Sequence, residues 1–195
     1  MGFTDDFDKK VKSDFDKRIV NHTIMVKHCD GLYRHWQCNA PGTYIDGFDV
    51  ITWPGYMCYT GDMGTYVFRR TEDMVAFMSG SLGSISYVAE KCISYDRDGV
   101  EKYYSECFQE MLTEEINRLE SDKVDGEDNS DIDEQIDDLD AIRGEGDDGE
   151  EVAMESLSNT GMFDELPDCR YYTYRFLFCM YALRWFCDKL KETTT

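Results

Sequence analysis

The run FDVITWPGYMCYTGDMGTYVFRR, residues 48–70, constrains the fold more than any other part of the chain. Between its turn signals nearly every residue is β-branched, aromatic or otherwise apolar, which is the composition of strands. Pro54-Gly55 marks a first turn, because proline presets φ and the glycine after it is free to take φ > 0. Gly61-Asp62-Met63-Gly64 marks a second, so three antiparallel strands are expected in succession. Upstream, residues 23–29 read as a strand, Asp30-Gly31 as a two-residue hairpin turn, and LYRHWQCN as the return strand before Pro41-Gly42. Residues 23–70 are therefore expected to form an antiparallel sheet of about five strands. Phe48, Val50 and Thr52 point to one face, and Ile51 and Trp53 to the other. Apolar groups on both sides mean that one face lies under helices, while the other is partly covered or is a contact surface.

The flanking segments carry the helical period. Phe7, Val11, Phe15 and Ile19 form a stripe behind a Thr4 cap. Thr71 is expected to cap a helix bearing Met74, Val75, Phe77 and Met78 and stopped by Gly80. Ile85, Val88, Ala89, Cys92 and Ile93 predict a second helix. A third is expected from Asp98, with Glu101 completing a capping box and a stripe from Val100 to Leu119. The last helix, started by Pro167 and Asp168, reads CRYYTYRFLFCMYALRWFCDKLK. It is apolar on nearly every side, yet Arg175 and Arg184 interrupt a run already short for a membrane span, so it is read as a central buried helix. The expected class is α+β: a hairpin plus meander covered by amphipathic helices and a buried C-terminal helix. The expected organisation is an α+β core over 1–121, an acidic flexible insertion over 122–152, and a C-terminal helical segment over 153–195 that packs on the core.

Charge is the second constraint. The chain has 41 acidic and 20 basic side chains, a formal net charge of −21. Such a surface argues against direct nucleic-acid binding, which requires a basic footprint on phosphates, and favours basic partners. Residues 122–151 hold fifteen carboxylates against Lys123 and Arg143. Glycines at 126, 144, 146 and 149 suit a flexible excursion. Within it Ile132, Ile136 and Leu139 fall at helical spacing, so a short helix with Asp133, Glu134, Asp137, Asp138 and Asp140 on its outer faces is an alternative. The opening residues carry no apolar export segment, and the eight cysteines read as reduced thiols in a cytosol.

Chemical motifs are sparse. His28, Cys29, His35 and Cys38 sit on a hairpin, but adjacent strand residues face opposite ways, so they make a poor zinc set. No phosphate loop, dinucleotide fingerprint, nucleophile elbow or metalloprotease helix is present, so no catalytic residue, cofactor or metal is assigned. Two surfaces are candidates for partner binding. One is the acidic stretch, through Asp133, Glu134, Asp137, Asp138, Asp140, Asp147 and Asp148; the other is a patch at the second turn, through Trp53, Asp62 and Tyr66.

The pieces RHWQC, FDVITWPG, GDMGTYVF and TEDM, in this order, resemble a family of small proteins encoded by bacteriophages and prophages. They fall within a stretch of about a quarter of the chain and leave the acidic stretch and the final helix outside the likeness. The family carries no assigned reaction or cofactor, so the resemblance transfers no catalytic residue. What it implies is a phage accessory protein in the host cytoplasm that inhibits a defence system, anti-CRISPR-like or otherwise, by binding a host protein with a basic, nucleic-acid-binding surface. The acidic stretch would then act as a nucleic-acid mimic, with no membrane partner and with the oligomeric state, monomer or dimer, open. The alternative is a small-molecule binder or enzyme with its site at the hairpin ends near His35, Trp53, Asp62 and Tyr66.

Overall fold

The computed structural model describes residues 2–194. The fold is α+β, and the chain divides into two compact units. One holds Phe7–Glu101 and the chain from Tyr172 onward; the other holds the residues up to Asp6 together with Lys102–Tyr171.

The first unit is built on a six-stranded antiparallel sheet in sequence order. Its strands are β1 (Thr23–Asp30), β2 (Tyr33–Asn39), β3 (Phe48–Trp53), β4 (Tyr56–Gly61), β5 (Gly64–Arg69) and β6 (Cys92–Tyr95). The five strands expected in residues 23–70 are all present. Gly55 (φ 84°) closes the β3–β4 turn behind Pro54, a position that an L side chain adopts only with strain. The sheet's inner face presents Trp36, Cys38, Phe48, Val50, Thr52, Met57, Tyr59, Tyr66 and Phe68, all buried. The alternate residues, Ile51, Trp53 and Cys58 among them, are half-buried.

Helix α7 (Tyr174–Thr194) covers the inner face. Phe186 meets Trp36 edge-on at 5.1 Å, Trp185 meets Phe48 at 6.2 Å, and Phe176 meets Tyr66 at 5.3 Å. On its far side Phe178 packs at 5.3 Å against Phe15 of helix α1 (Phe3–Ile19), whose stripe Val11, Phe15 and Ile19 is buried as the spacing required. The arginines that interrupt α7 are used locally. Arg175 pairs with Asp98 at 2.8 Å, and Arg184 donates to the Leu82 carbonyl, beyond the end of α2 (Met74–Ser81).

Several boundaries differ from expectation. Helix α2 is capped by Asp73, not Thr71, and runs through Gly80. The Asp73 carboxylate accepts from the amides of Val75 (2.9 Å) and Ala76 (3.2 Å) while the Arg34 guanidinium grips both its oxygens, at 3.3 and 3.0 Å. Helix α3 (Ile85–Ala89) stops early, and Cys92 and Ile93 belong to β6. The free edge of β5 offers backbone partners there, and a segment with Ile93 and Tyr95 suits a strand better than its helical period suggested. No helix starts at Asp98: Gly99 (φ 72°) breaks it, and Glu101 opens a short strand, β7 (Glu101–Tyr103). Nor does the last helix start at Pro167. Residues Arg170–Tyr172 form β8, which pairs with β7, and Thr173 then accepts from the Phe176 amide at 3.2 Å.

The second unit is helical. It contains α4 (Ser105–Asp122), α5 (Ser130–Ala141), a 3-10 helix (Arg143–Asp148) and α6 (Glu150–Asn159). Phe108, Leu112, Leu119, Ile136, Leu139, Ala153, Leu157 and Cys169 form its buried core. The expected division at residue 122 thus falls at the end of α4, inside this unit, and helices occupy most of the stretch expected to be a flexible excursion. A buried glycine explains one of the sequence's apparent flexibility signals: a Cβ at Gly146 would lie 2.6 Å from Phe108 Cδ1, so the residue is small because a ring sits on it.

A Cβ on Gly61 would lie 2.3 Å from the Gly47 carbonyl oxygen and 2.7 Å from Phe48 Cα, both backbone atoms, whereas Gly80 faces open space within a helix. Gly61→Ala should lower stability by about 1–3 kcal/mol and Gly80→Ala should raise it by about 0.5–1 kcal/mol, read by thermal or urea unfolding. Burial pushes the Asp73 carboxyl up, but the Arg34 hydrogen bonds and charge and the amides of Ala76 and Val75 outweigh it and hold the group below its ordinary value. A depressed carboxyl stabilises above its unfolded pKa and ceases to as pH falls through the folded one. Asp73→Ala should therefore cost about 1–2 kcal/mol at neutral pH, and its deficit against the native chain should shrink below about pH 4.

Candidate functional site

The hairpin-end residues do not converge. Trp53 flanks the β3–β4 turn and Asp62 the β4–β5 turn, at opposite ends of β4 and about 17 Å apart along an extended strand. Trp53 stacks on its register partner Tyr56 (5.2 Å, 14°), with the Arg69 guanidinium 5.3 Å over that ring. The Asp62 carboxylate accepts from the Asp46 amide at 2.8 Å, which fixes the loop before β3. Tyr66, expected at a recognition patch, is buried in the core against Phe176, its hydroxyl donating to the Gly99 carbonyl at 3.5 Å. It faces inward because period-2 alternation puts it on the same face as Phe68. Tyr66 is therefore withdrawn as a contact residue, and the four-residue site near His35 is not assembled.

His35 instead belongs to a small polar chain on the outer face. Its Nε2 lies 2.9 Å from Asp49 Oδ2, and the Tyr44 hydroxyl donates to Asp49 Oδ1 at 3.1 Å. Burial first, and then the neighbouring Asp49 charge, push the Tyr44 phenol up to about 12. The hairpin histidines are register partners, while Cys38 faces the core and its thiol is pushed well up by burial and by Asp49. Cys29 is exposed on β1, the edge strand. Among the described residues no group of three or more His, Cys, Asp or Glu side chains is placed to hold a metal ion.

The helical unit presents a different surface. Taken with its N-terminal residues, it contains 26 acidic and 5 basic side chains, a net charge of −21, while the sheet unit has 15 of each and is neutral. The whole excess charge of the chain thus lies in one unit. On α5, Ile136 and Leu139 are buried and Ile132 half-buried, so the helix is anchored along one stripe. Asp133, Glu134, Asp137, Asp138 and Asp140 are all exposed, as are Asp147 and Asp148 in the 3-10 helix. Asp133 meets Lys123 at 2.8 Å and Asp140 meets Arg143 at 2.7 Å. Glu134, Asp137, Asp138, Asp147 and Asp148 have no ion-pair partner among the described residues.

The arrangement is electrostatically costly. Asp133 with Asp137, and Glu134 with Asp138, are like charges four residues apart on one helix, each pair opposing it by about 0.2–0.5 kcal/mol. None of α4, α5 and α6 carries a basic residue in its last turn, where one would complement the helix dipole. The acidic run over residues 122–151 is legible in the sequence, but the carboxylates on either side of it, such as Glu114, Glu120 and Glu155, are not, because the apolar stripe of α4 marks only its buried side. Counting charge over residues 102–171 as one block would have found them.

No protein-family model, no curated protein and no solved structure matches the chain. No helix among the described residues is long and apolar enough to cross a membrane.

The anchoring of α5 is directly checkable. Leu139→Ala removes a fully buried side chain and should cost the helical unit about 2–5 kcal/mol, visible as a lost or shifted transition in far-ultraviolet circular dichroism. Asp138→Ala should leave that transition unchanged or raise it by a few tenths of a kcal/mol, because it relieves repulsion and introduces a strong helix former.

Proposed function

We propose that the protein is a phage-encoded inhibitor of a host defence system that binds a host protein through its acidic helical unit, in the manner of a nucleic-acid mimic. The observation that carries this reading is the segregation of charge: all 21 excess negative charges sit on one unit, with Glu134, Asp137, Asp138, Asp147 and Asp148 free of ion pairs among the described residues. Fixed carboxylates on helices present a preformed field, which steers a basic surface into contact and competes with phosphates for it. The resemblance of the meander segments to phage and prophage proteins supplies the biological setting, the host cytoplasm. The residues that carry that resemblance have structural duties here: Arg34 grips Asp73, Trp36 and Phe48 pack on α7, and Gly61 admits the Gly47 backbone. On this reading the sheet unit is the scaffold and the helical unit the binding element.

The test is a phage challenge in a host carrying a nucleic-acid-guided or nuclease-based defence, with the protein expressed in trans. The native chain should restore plaque formation. The amide variant Asp133→Asn, Glu134→Gln, Asp137→Asn, Asp138→Asn should lose most of that activity while remaining folded, and binding of the native chain to its target should weaken steeply with added salt. Equal protection by the amide variant, with salt-independent binding, would remove the mimicry.

A further inference from the structure

Charge and topology together say something about the molecule before any partner arrives. The body of the acidic unit is an insertion: the chain leaves the sheet unit after Glu101 and re-enters it at Tyr172, and these crossing points lie in the paired strands β7 and β8. On the acidic side the Tyr104 amide donates to the Cys169 carbonyl at 3.1 Å; on the other, the Thr173 amide donates to the Val100 carbonyl at 2.9 Å. The two ends of the insertion are thus tied by backbone hydrogen bonds that require none of the helices between them. An insertion closed at its base opens without unravelling its host.

Burial and charge oppose each other within the acidic unit. Its core is eight buried residues, and the net charge of −21 acts against it. Carboxylates also stand at the negative ends of its helices, Glu120 and Asp122 on α4 and Asp138 and Asp140 on α5; Lys123, Arg118 and Arg143 pair with three of them, and Asp138 has no ion-pair partner among the described residues. The sheet unit has a balanced charge and a core that includes residues 176–183 of α7.

We infer that the acidic unit is a conditionally closed element, opening as its own cooperative unit at low ionic strength and closed by neutralising counter-charge, while the sheet unit stays closed throughout. Mobile salt closes it by screening, and a polycation closes it by direct neutralisation. A basic protein surface neutralises the same charge and so reinforces the closed form on docking; this last consequence rests on the function proposed above, whereas the conformational equilibrium does not.

The experiment is hydrogen exchange read by mass spectrometry on the full chain without partner, at about 0.01 M and about 0.15 M NaCl, a change that shortens the Debye length from about 30 Å to about 8 Å. A third arm adds spermine at constant ionic strength. Amides of α4, α5 and α6 should slow by about tenfold or more with salt and again with spermine, while those of β3, β4, β5 and α7 change by less than about twofold. An equal response in both units, or none in the acidic one, overturns the inference, and slowing with salt but not with spermine overturns closure by polycations. Loss of phage protection with this exchange pattern intact would instead count against the proposed function alone.

Discussion

The sheet unit depends on the burial of α7. From Phe176 to Leu183 every side chain of this helix is buried, between the inner face of the sheet and α1. Desolvating that many aromatic and aliphatic groups is the largest favourable term available to a fold of this size, and it sets the register of everything it touches. A strand shifted by one residue would turn Phe48 and Val50 away from α7 and put Asp49 and Ile51 against it. So apolar a helix tolerates Arg175 and Arg184 because each has a partner of its own: Arg175 pairs with Asp98, and Arg184 donates to a backbone carbonyl.

The helical unit obeys a different balance. Its stripes of Phe108, Leu112, Ile136, Leu139 and Leu157 are enough to make helices pack, and its surface is loaded with repelling charge. Its few cations are held in pairs, Arg118 with Glu115 and Asp122 and Lys123 with Glu120 and Asp133, which leaves most of its carboxylates without a counter-charge among the described residues. The cost accepted on α5 is what the function proposed above would explain.

The sheet was legible in the sequence because two independent signals agreed there: turn chemistry at Asp30-Gly31, Pro54-Gly55 and 61–64, and β-branched or aromatic runs between the turns. Where only one signal spoke, tertiary context overrode it. Cys92 and Ile93 kept the helical period yet joined β5, because an open sheet edge outweighs a short apolar stripe. The region around Asp98 failed for a local reason: the capping-box pattern was read across Gly99, whose positive φ no helix accepts. Glycines in the acidic stretch suit a flexible chain, but at 146 the residue is a steric requirement that depends on Phe108, nearly forty positions away. The carboxylates of α5 were legible individually. That they share a compact unit with those of α4 and α6 was not, since it follows from long-range packing.

Among the described cysteines only Cys29 is exposed; Cys38, Cys169, Cys179 and Cys187 are buried and the other three are half-covered. The edge strand that carries it therefore offers a natural attachment point for a thiol-directed fluorophore or spin label. Its sequence neighbours His28 and Asp30 are exposed as well, so a probe on Cys29 stands clear of the buried core. A label there stands on the charge-balanced half of the chain and leaves every carboxylate of the acidic helices as it is.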